Sequence, residues 1–286
     1  MAPKCISFAA GLPNNELVVE RFTSQAVSTG FFSSVNVVSG SNHPIYIELM
    51  RHHGDFIANN RRGFGYWLWK PFILREYVRT ISDGEVIFYC DIGCEFSPCG
   101  SVQFNNFLHK LSNRPIIAFQ AGSKLFEFQW TKSELIDYAG LSSHDRKSPQ
   151  IAATFFFFVV NDFTRRFLDE WYKISTIFNY KLINDDIGPQ CHGFVEHRHD
   201  QSIFSVLLKK YAVIPFIYES NFPKQLYFKK SFVYSFPVHA IRNLTPYAVL
   251  NLHDYSHCNF GRISKFKFRL YFYFIKLWRR LCRLIQ

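Results

Sequence analysis

This chain of 286 residues has little to offer a membrane span, a secretory leader or a disulfide framework. Its opening, MAPKCISFAAGLP, lacks the basic start followed by an apolar run that marks a leader, so reduced thiols in a cytoplasmic compartment are expected. Its seven cysteines are an odd number and include no C-x-x-C pair. Cys90, Cys94 and Cys99 cluster, yet their spacing favours ordinary small apolar packing over zinc. Cys191, His192, His197 and His199 likewise fit no common zinc template. Repeats and low-complexity linkers are missing, which argues for one domain. No glycine-rich, lysine-containing phosphate loop lies near the N-terminus, and this argues against a nucleotidyltransferase. After Asp254 there is no acidic residue at all.

That last absence locates the charge. The net charge is +11, and Arg262, Lys265, Lys267, Arg269, Lys276, Arg279, Arg280 and Arg283 supply eight of it, leaving +3 for everything before them. The basicity belongs to the C-terminal stretch and not to a groove across the fold. With 48% hydrophobic and 19% charged residues, including 33 Phe and 15 Tyr, the rest is globular and rich in aromatic core.

Hydrophobic periodicity predicts alternating strands and helices. Ile6 to Ala10, Val35 to Val38, Glu85 to Tyr89, Ile116 to Gln120 and Ile151 to Val160 read as buried strands. Leu17 to Phe32, Ile45 to Asn59, Tyr66 to about Thr80, Thr164 to Phe178 and Gln201 to Tyr211 read as helices, with Pro71 tolerated in a first turn. The alternation argues for an α/β fold, a mostly parallel central sheet with helices on both faces. In such sheets ligands bind beyond the carboxyl ends of the strands, which is where the loop carrying Asp91 falls.

Three constellations carry candidate chemistry. The run Phe88-Tyr89-Cys90-Asp91-Ile92-Gly93-Cys94-Glu95 ends a strand in a carboxylate suited to a divalent cation or a ribose hydroxyl, and Gly93 permits close backbone approach; the plain alternative is an Asx-type turn. In Arg61-Arg62-Gly63-Phe64-Gly65-Tyr66-Trp67-Leu68-Trp69-Lys70-Pro71, two arginines before a glycine-broken loop make a diphosphate cradle, and Tyr66, Trp67 and Trp69 offer stacking surfaces. The alternative there is a solvated basic loop beside core aromatics. In Glu196-His197-Arg198-His199-Asp200-Gln201-Ser202, Asp200 or Ser202 caps the next helix, or else Asp200 and Gln201 bind sugar hydroxyls and Asp200 serves as a general base.

Taken in order, these segments resemble a family of bacterial and viral nucleotide-diphospho-sugar transferases of the GT-A class, found among polysaccharide-biosynthesis proteins. The resemblance runs from Ile6-Ser7-Phe8-Ala9 through QAVSTGFF at Gln25, RGFGYWLWKP at Arg62, EVIFYCDIGCE at Glu85, QIAATFFFFVVND at Gln150 and HRHDQSIFSVLL at His197, roughly residues 5 to 215. It implies a single GT-A-like, Rossmann-like domain over 1–260 and a hexosyltransferase-type reaction of surface polysaccharide synthesis. The donor would be a nucleotide sugar and the acceptor a glycan or a lipid-linked glycan. Donor binding would fall to Arg61, Arg62, Gly63, Tyr66, Trp69, Lys70, Asp91, Gly93 and Gln201. Asp200 and Asp91 would be catalytic, with His199 and Asp200 at the acceptor. Such enzymes usually hold Mn²⁺ or Mg²⁺ on Asp-x-Asp. Here Gly93 stands at the third position, so a metal would fall to Asp91 with Glu95 and a C-terminal histidine, His253, with His239 and His257 as competitors.

From Gly261 the chain reads as a basic amphipathic helix. At about 100° per residue, Arg262, Lys265, Arg269, Lys276, Arg280 and Arg283 share one face and Phe266, Leu270, Tyr273, Phe274, Leu277, Leu281 and Leu284 a neighbouring one. Residues 261–286 are therefore expected to lie on an anionic membrane surface, the inner face of the cell membrane, as a peripheral tail. Their uninterrupted apolar run, Leu270 to Ile275, is far short of the about 20 residues that spanning requires. Nucleic acid is disfavoured because no compact recognition module accompanies the tail. A different class of function, a non-catalytic basic adaptor on a transferase-like scaffold, uses the same tail.

Overall fold

The computed structural model describes residues 2–12, 15–217 and 236–247. The tail from Gly261, together with His253 and His257, lies outside the described residues. The first half alternates: β1 (Lys4–Ala9), α1 (Asn15–Ser28), β2 (Ser34–Ser39), α2 (Pro44–Asn59), a single turn α3 (Gly63–Tyr66), α4 (Trp69–Val78) and β3 (Val86–Cys90). There follow β4 (Glu95–Phe96), α5 (Ser101–Lys110), β5 (Ile116–Gln120), three short helices α6 (Glu127–Trp130), α7 (Ser133–Ala139) and α8 (Ser143–Arg146), then β6 (Ile151–Val159), α9 (Asp162–Tyr180), α10 (His199–Lys210) and β7 (Val238–His239).

The main sheet has five strands in the order β2-β1-β3-β6-β5. β1 pairs in parallel with both β2 and β3, whereas β6 runs antiparallel to β3 and to β5. β5 therefore points the same way as the first three strands, and β6 alone is reversed. A mostly parallel sheet is observed, with one opposed strand set inside it.

Side chains alternate across this sheet, as the pleat demands. Ile6, Phe8, Ile87, Tyr89, Phe156 and Phe158 face a core closed by α2, α4, α9 and α10. Cys5, Ala9, Phe88, Cys90, Phe155 and Phe157 face a second core that also holds Phe22 of α1 and Phe104 and Phe107 of α5. Burying both faces explains why β3 and β6 read as unbroken apolar runs, and why Cys90 and Cys94 behave as small core residues. At about 1.5–3 kcal/mol for each fully buried large apolar side chain, the Phe-rich β6 is a principal source of cohesion.

Chain order and spatial order part company at β1, whose neighbours are β2 on one side and β3 on the other. This is the topological switch point, where a crevice opens beyond the carboxyl ends of the strands. Ser7 ties the two strands together there, its hydroxyl donating to the Cys90 carbonyl at 2.6 Å.

A second small sheet, β4 with β7, folds the chain's later part back beside that crevice. It depends on two glycines at which backbone meets backbone. A Cβ on Gly93 would come within 3.0 Å of Arg242 Cα, and one on Gly100 within 2.2 Å of Pro237 N. Gly100→Ala is therefore expected to destabilise by about 1–3 kcal/mol, the scale of an overpacked core site. Gly84→Ala, at φ +86° but facing open space, costs only the backbone penalty of about 1–2 kcal/mol and leaves the β4–β7 pairing intact. Denaturant unfolding, with hydrogen exchange at Phe96 and Val238, distinguishes the two.

Candidate functional site

Lys70 comes from the first turn of α4 and is almost wholly buried, its side chain 4% exposed. An isolated buried ammonium is prohibitively costly, so it must be paired and hydrogen-bonded. Its Nζ lies 2.6 Å from Asp200 Oδ2 and 3.2 Å from Asp91 Oδ1, and donates to the Ala153 carbonyl at 3.1 Å. The ring of Tyr89 completes the enclosure, its centre 5.3 Å from Nζ. Three segments far apart in sequence, the start of α4, the end of β3 and the start of α10, thus meet on one ammonium.

Asp91 sits one residue past β3. Its backbone N–H donates to Thr154 at 2.8 Å, and the Tyr89 hydroxyl donates to Oδ1 at 2.5 Å. Burial first and Asp91 second push the Tyr89 hydroxyl well up, which keeps it a neutral donor. The Asp91 side chain is 34% exposed and that of Asp200 only 6%. Asp91 is therefore the carboxylate open to a ligand, and Asp200 the buried counter-charge. Burial raises Asp200 to about 6, opposed by Lys70 and reinforced by Asp91. Lys70 itself is pulled down by burial and carried above its ordinary value by its two acids, so it stays charged.

The approach to this ammonium is the turn α3. Gly63, Phe64, Gly65, Tyr66 and Trp67 all have positive φ, between 53° and 80°, a left-handed turn that costs about 1–2 kcal/mol for each non-glycine residue. Only glycine fits at two of these places: a Cβ on Gly63 would lie 2.3 Å from the Trp67 ring, and one on Gly65 2.8 Å from Ile57 Cγ1. The turn is held from α10 and the loop before it. Tyr66 and Trp67 both stack on His199, at 4.8 and 5.6 Å between ring centres. Arg62 pairs with Asp185 at 3.1 Å and also with Glu196. His199 has φ +51°, and its Nδ1–H donates to the Ile183 carbonyl at 2.7 Å.

Several residues singled out from the sequence have other partners in the fold. Trp69 is 7% exposed, stacked on Phe8 at 4.2 Å, its Nε1 donating to Gly63. It is part of the core, where its indole anchors the turn from beneath. Arg62 is committed to two acids, and Arg61 is exposed. Gly93 makes room for the chain at Arg242, with Asn243 N–H donating to its carbonyl at 2.8 Å. Gln201 is turned to Gln150, donating at 2.7 Å. Glu95 is fully buried and accepts from Asn243 at 2.5 Å and Gln25 at 3.4 Å, with Arg21 at 3.9 Å. His239 is buried too, and burial lowers it to about 4.

These positions bear on a metal. One oxygen of Asp91 already receives a phenol and an ammonium, and Glu95 serves the β4–β7 network. Among the described residues, no three His, Cys, Asp or Glu side chains come together to hold an ion. The cation beside Asp91 is Lys70. A separate surface cleft of about 380 Å³ runs between α2 and the end of α9, lined by Arg51, His52, Asp55, Asn59, Asn60 and Tyr180 among others, and none of Lys70, Asp91 and Asp200 borders it.

The charge arrangement has a pH consequence. Because folding raises Asp200, its ionisation opposes folding: stability falls as pH climbs from the ordinary 3.8 to about 6 and is level above that. Lys70→Met removes the counter-charge and lifts Asp200 further, so the loss extends into neutral pH. Thermal unfolding is expected to show the variant weakened by about 3–5 kcal/mol at pH 8, the cost of breaking a buried pair, and by less at pH 5. Adding Asp200→Asn restores a flat profile.

No protein-family model and no curated protein matches the sequence. Among solved structures the chain is similar to mouse xyloside xylosyltransferase 1 in its apo form, at 8% identity over 83% of this chain and 97% of that one, with a TM-score of 0.41. It is also similar to a glycosyltransferase involved in the glycosylation of the major capsid of PBCV-1, at 10% identity over 68% of this chain and 81% of that one, with a TM-score of 0.31.

Proposed function

We propose that this protein transfers a sugar from a nucleotide-sugar donor to a glycan or lipid-linked acceptor, with the donor seated at the carboxyl end of β3. The observation that carries the reading is the convergence of Asp91, Lys70 and Asp200 on one buried ammonium at the switch point of the sheet. The same three segments carry the sequence resemblance to nucleotide-diphospho-sugar transferases.

In this reading Asp91 accepts hydrogen bonds from the donor's ribose or sugar hydroxyls. Lys70 fixes that carboxylate in place, and Tyr89 orients it. Asp200 balances Lys70 and is a positioning residue. Tyr66 and Trp67, partly exposed beside His199, offer faces to a base or sugar ring. The bond that breaks joins the anomeric carbon to a phosphate oxygen; the leaving diphosphate gains negative charge, and fixed cations that hold it more tightly in the transition state speed its departure. Lys70 in the place beside Asp91 supports transfer without a divalent cation. No helix among the described residues is long and apolar enough to cross a membrane, and the proposed membrane contact rests on the pattern of residues 261–286.

A panel of UDP-, GDP- and CMP-sugars is expected to contain one that raises the melting temperature, by about 2.7 kcal/mol of added stability at 100 times its Kd. Turnover of that donor should survive EDTA and fall at least about a hundredfold in Asp91→Asn, the scale of losing a charge-assisted contact made in the transition state. Stabilisation by no sugar nucleotide, or full turnover by a folded Asp91→Asn protein, would sink the reading.

A further inference from the structure

The proposed reading leaves an electrostatic deficit. With Asp91 and Asp200 ionised, the cluster around Lys70 carries one net negative charge, yet a nucleotide sugar brings a diphosphate. The arginine that the sequence offers for it, Arg62, is held by Asp185 and Glu196.

Two other arginines flank the same acids. Arg198 lies two residues before Asp200, and its guanidinium lies over Trp130 at 4.1 Å from the ring centre. Its backbone N–H is fixed by the Ser202 hydroxyl at 3.1 Å. Arg242 lies against Gly93, two residues after Asp91, where the missing Cβ lets the chain pass. The next residue binds it there: Asn243 N–H donates to the Gly93 carbonyl at 2.8 Å, and Asn243 Nδ2 donates to Glu95 at 2.5 Å. Arg242 is exposed and has φ +59°, a strained backbone for a non-glycine residue. Among the described residues, neither guanidinium has a carboxylate within ion-pair distance. Burial and, after it, the charge of Arg242 pull Arg198 below its ordinary value, with Glu196 opposing from its place on Arg62. The charge of Arg242 is thus felt at Arg198, and neither guanidinium has an acid in direct contact with it among the described residues. An arginine fork stacked on an aromatic face and free of carboxylates is suited to bidentate recognition of a phosphate.

We infer that Arg198 and Arg242 form a diphosphate clamp at the mouth of the Asp91 site, and that Arg62, held by Asp185 and Glu196, does not. The inference rests on the glycosyl-transfer reading for the identity of the anion as the diphosphate of a nucleotide sugar; the geometry alone requires only a compact, multiply charged phosphate. In the clamp, Arg198 presents its planar fork from the Trp130 face and Arg242 closes from the side of Gly93. The sugar lies inward toward Asp91.

The test is titration calorimetry of the full-length protein with inorganic pyrophosphate and, separately, with the nucleoside diphosphate of whichever donor binds. Arg242→Gln, an exposed change, and Arg198→Lys, which keeps the charge and loses the planar fork, are each expected to weaken both ligands at least about tenfold, the loss expected for a charge-assisted contact. Arg62→Gln should bind both as the wild type does. Raising the salt should weaken the wild type more than Arg242→Gln. Unchanged affinity in Arg198→Lys and Arg242→Gln, a loss confined to Arg62→Gln, or no pyrophosphate binding by the wild type would each overturn the clamp. Pyrophosphate bound through the two arginines while no sugar nucleotide binds leaves the clamp standing and removes the glycosyl-transfer reading. Sugar nucleotides bound equally by wild type and both variants do the reverse.

Discussion

A lysine ammonium with 4% of its side chain exposed is the constraint around which this molecule is arranged. Burying it costs several kcal/mol even after relaxation, and that cost is offset only if partners arrive with good geometry. Asp200 must come from the first turn of α10, Asp91 from the loop after β3, and a carbonyl from the early residues of β6. The reversed direction of β6 matters here: it brings the strand's beginning, with Ala153 and Thr154, beside the end of β3. A parallel strand would offer its other end. The same placement lets Thr154 accept from the Asp91 backbone, so one strand reversal fixes both the acid and its cation.

The strained turn over the site follows from that arrangement. With Trp69 packed on Phe8 and Lys70 directed inward, the chain between α2 and α4 has few residues in which to double back. It does so left-handed, with glycine at two of the five positions and aromatic residues at the others. Those aromatics pack on the rim of the core, each partly exposed. Tyr66 and Trp67 clasp His199, itself in a left-handed conformation at the head of α10. Strain in the turn is thus held by the helix that also supplies Asp200, and a ligand that moved one would be felt by the other. Local strain persists where surrounding structure over-determines it, and such places cluster at functional sites.

Much of this was legible in the sequence. The ends of β3, β5 and β6 and the extents of α2, α9 and α10 lie within about three residues of the expected limits, because apolar periodicity records burial directly. The direction of β6 was not legible. A strand buried on both faces gives the same unbroken run, Ile151 to Val159, whichever way it points. The candidate site was legible where a side chain closes a regular element, as Asp91 and Asp200 do. It was illegible where a partner arrives from a distant irregular loop: Asp185 and Glu196 stand 123 and 134 residues from Arg62, and nothing in either local pattern points to that arginine. Trp69 and Trp67 are two residues apart, and only the handedness of the turn decides which is buried in the core and which is left partly exposed at its rim. Gly93 read as space for a ligand, and the space is taken by the chain itself at Arg242.

The distribution of charge then separates two tasks that the net +11 conflates. The basic stretch after Asp254 adds a long-range field suited to an anionic surface and screened within about a Debye length, some 8 Å at physiological salt. Near the crevice the balance is local: two acids share one ammonium, Arg62 is neutralised by Asp185 and Glu196, and among the described residues Arg198 and Arg242 have no carboxylate within ion-pair distance. An anion attracted by the whole molecule would meet repulsion from Asp91 and a quenched Arg62, so its resting place is set by which cations are unpaired and not by where cations are most numerous. That is why Arg62, although it sits in the densest basic motif beside the site, is a weak candidate for holding phosphate. The proposed clamp instead uses two arginines 44 positions apart in the chain, one over the face of Trp130 and one packed at Gly93.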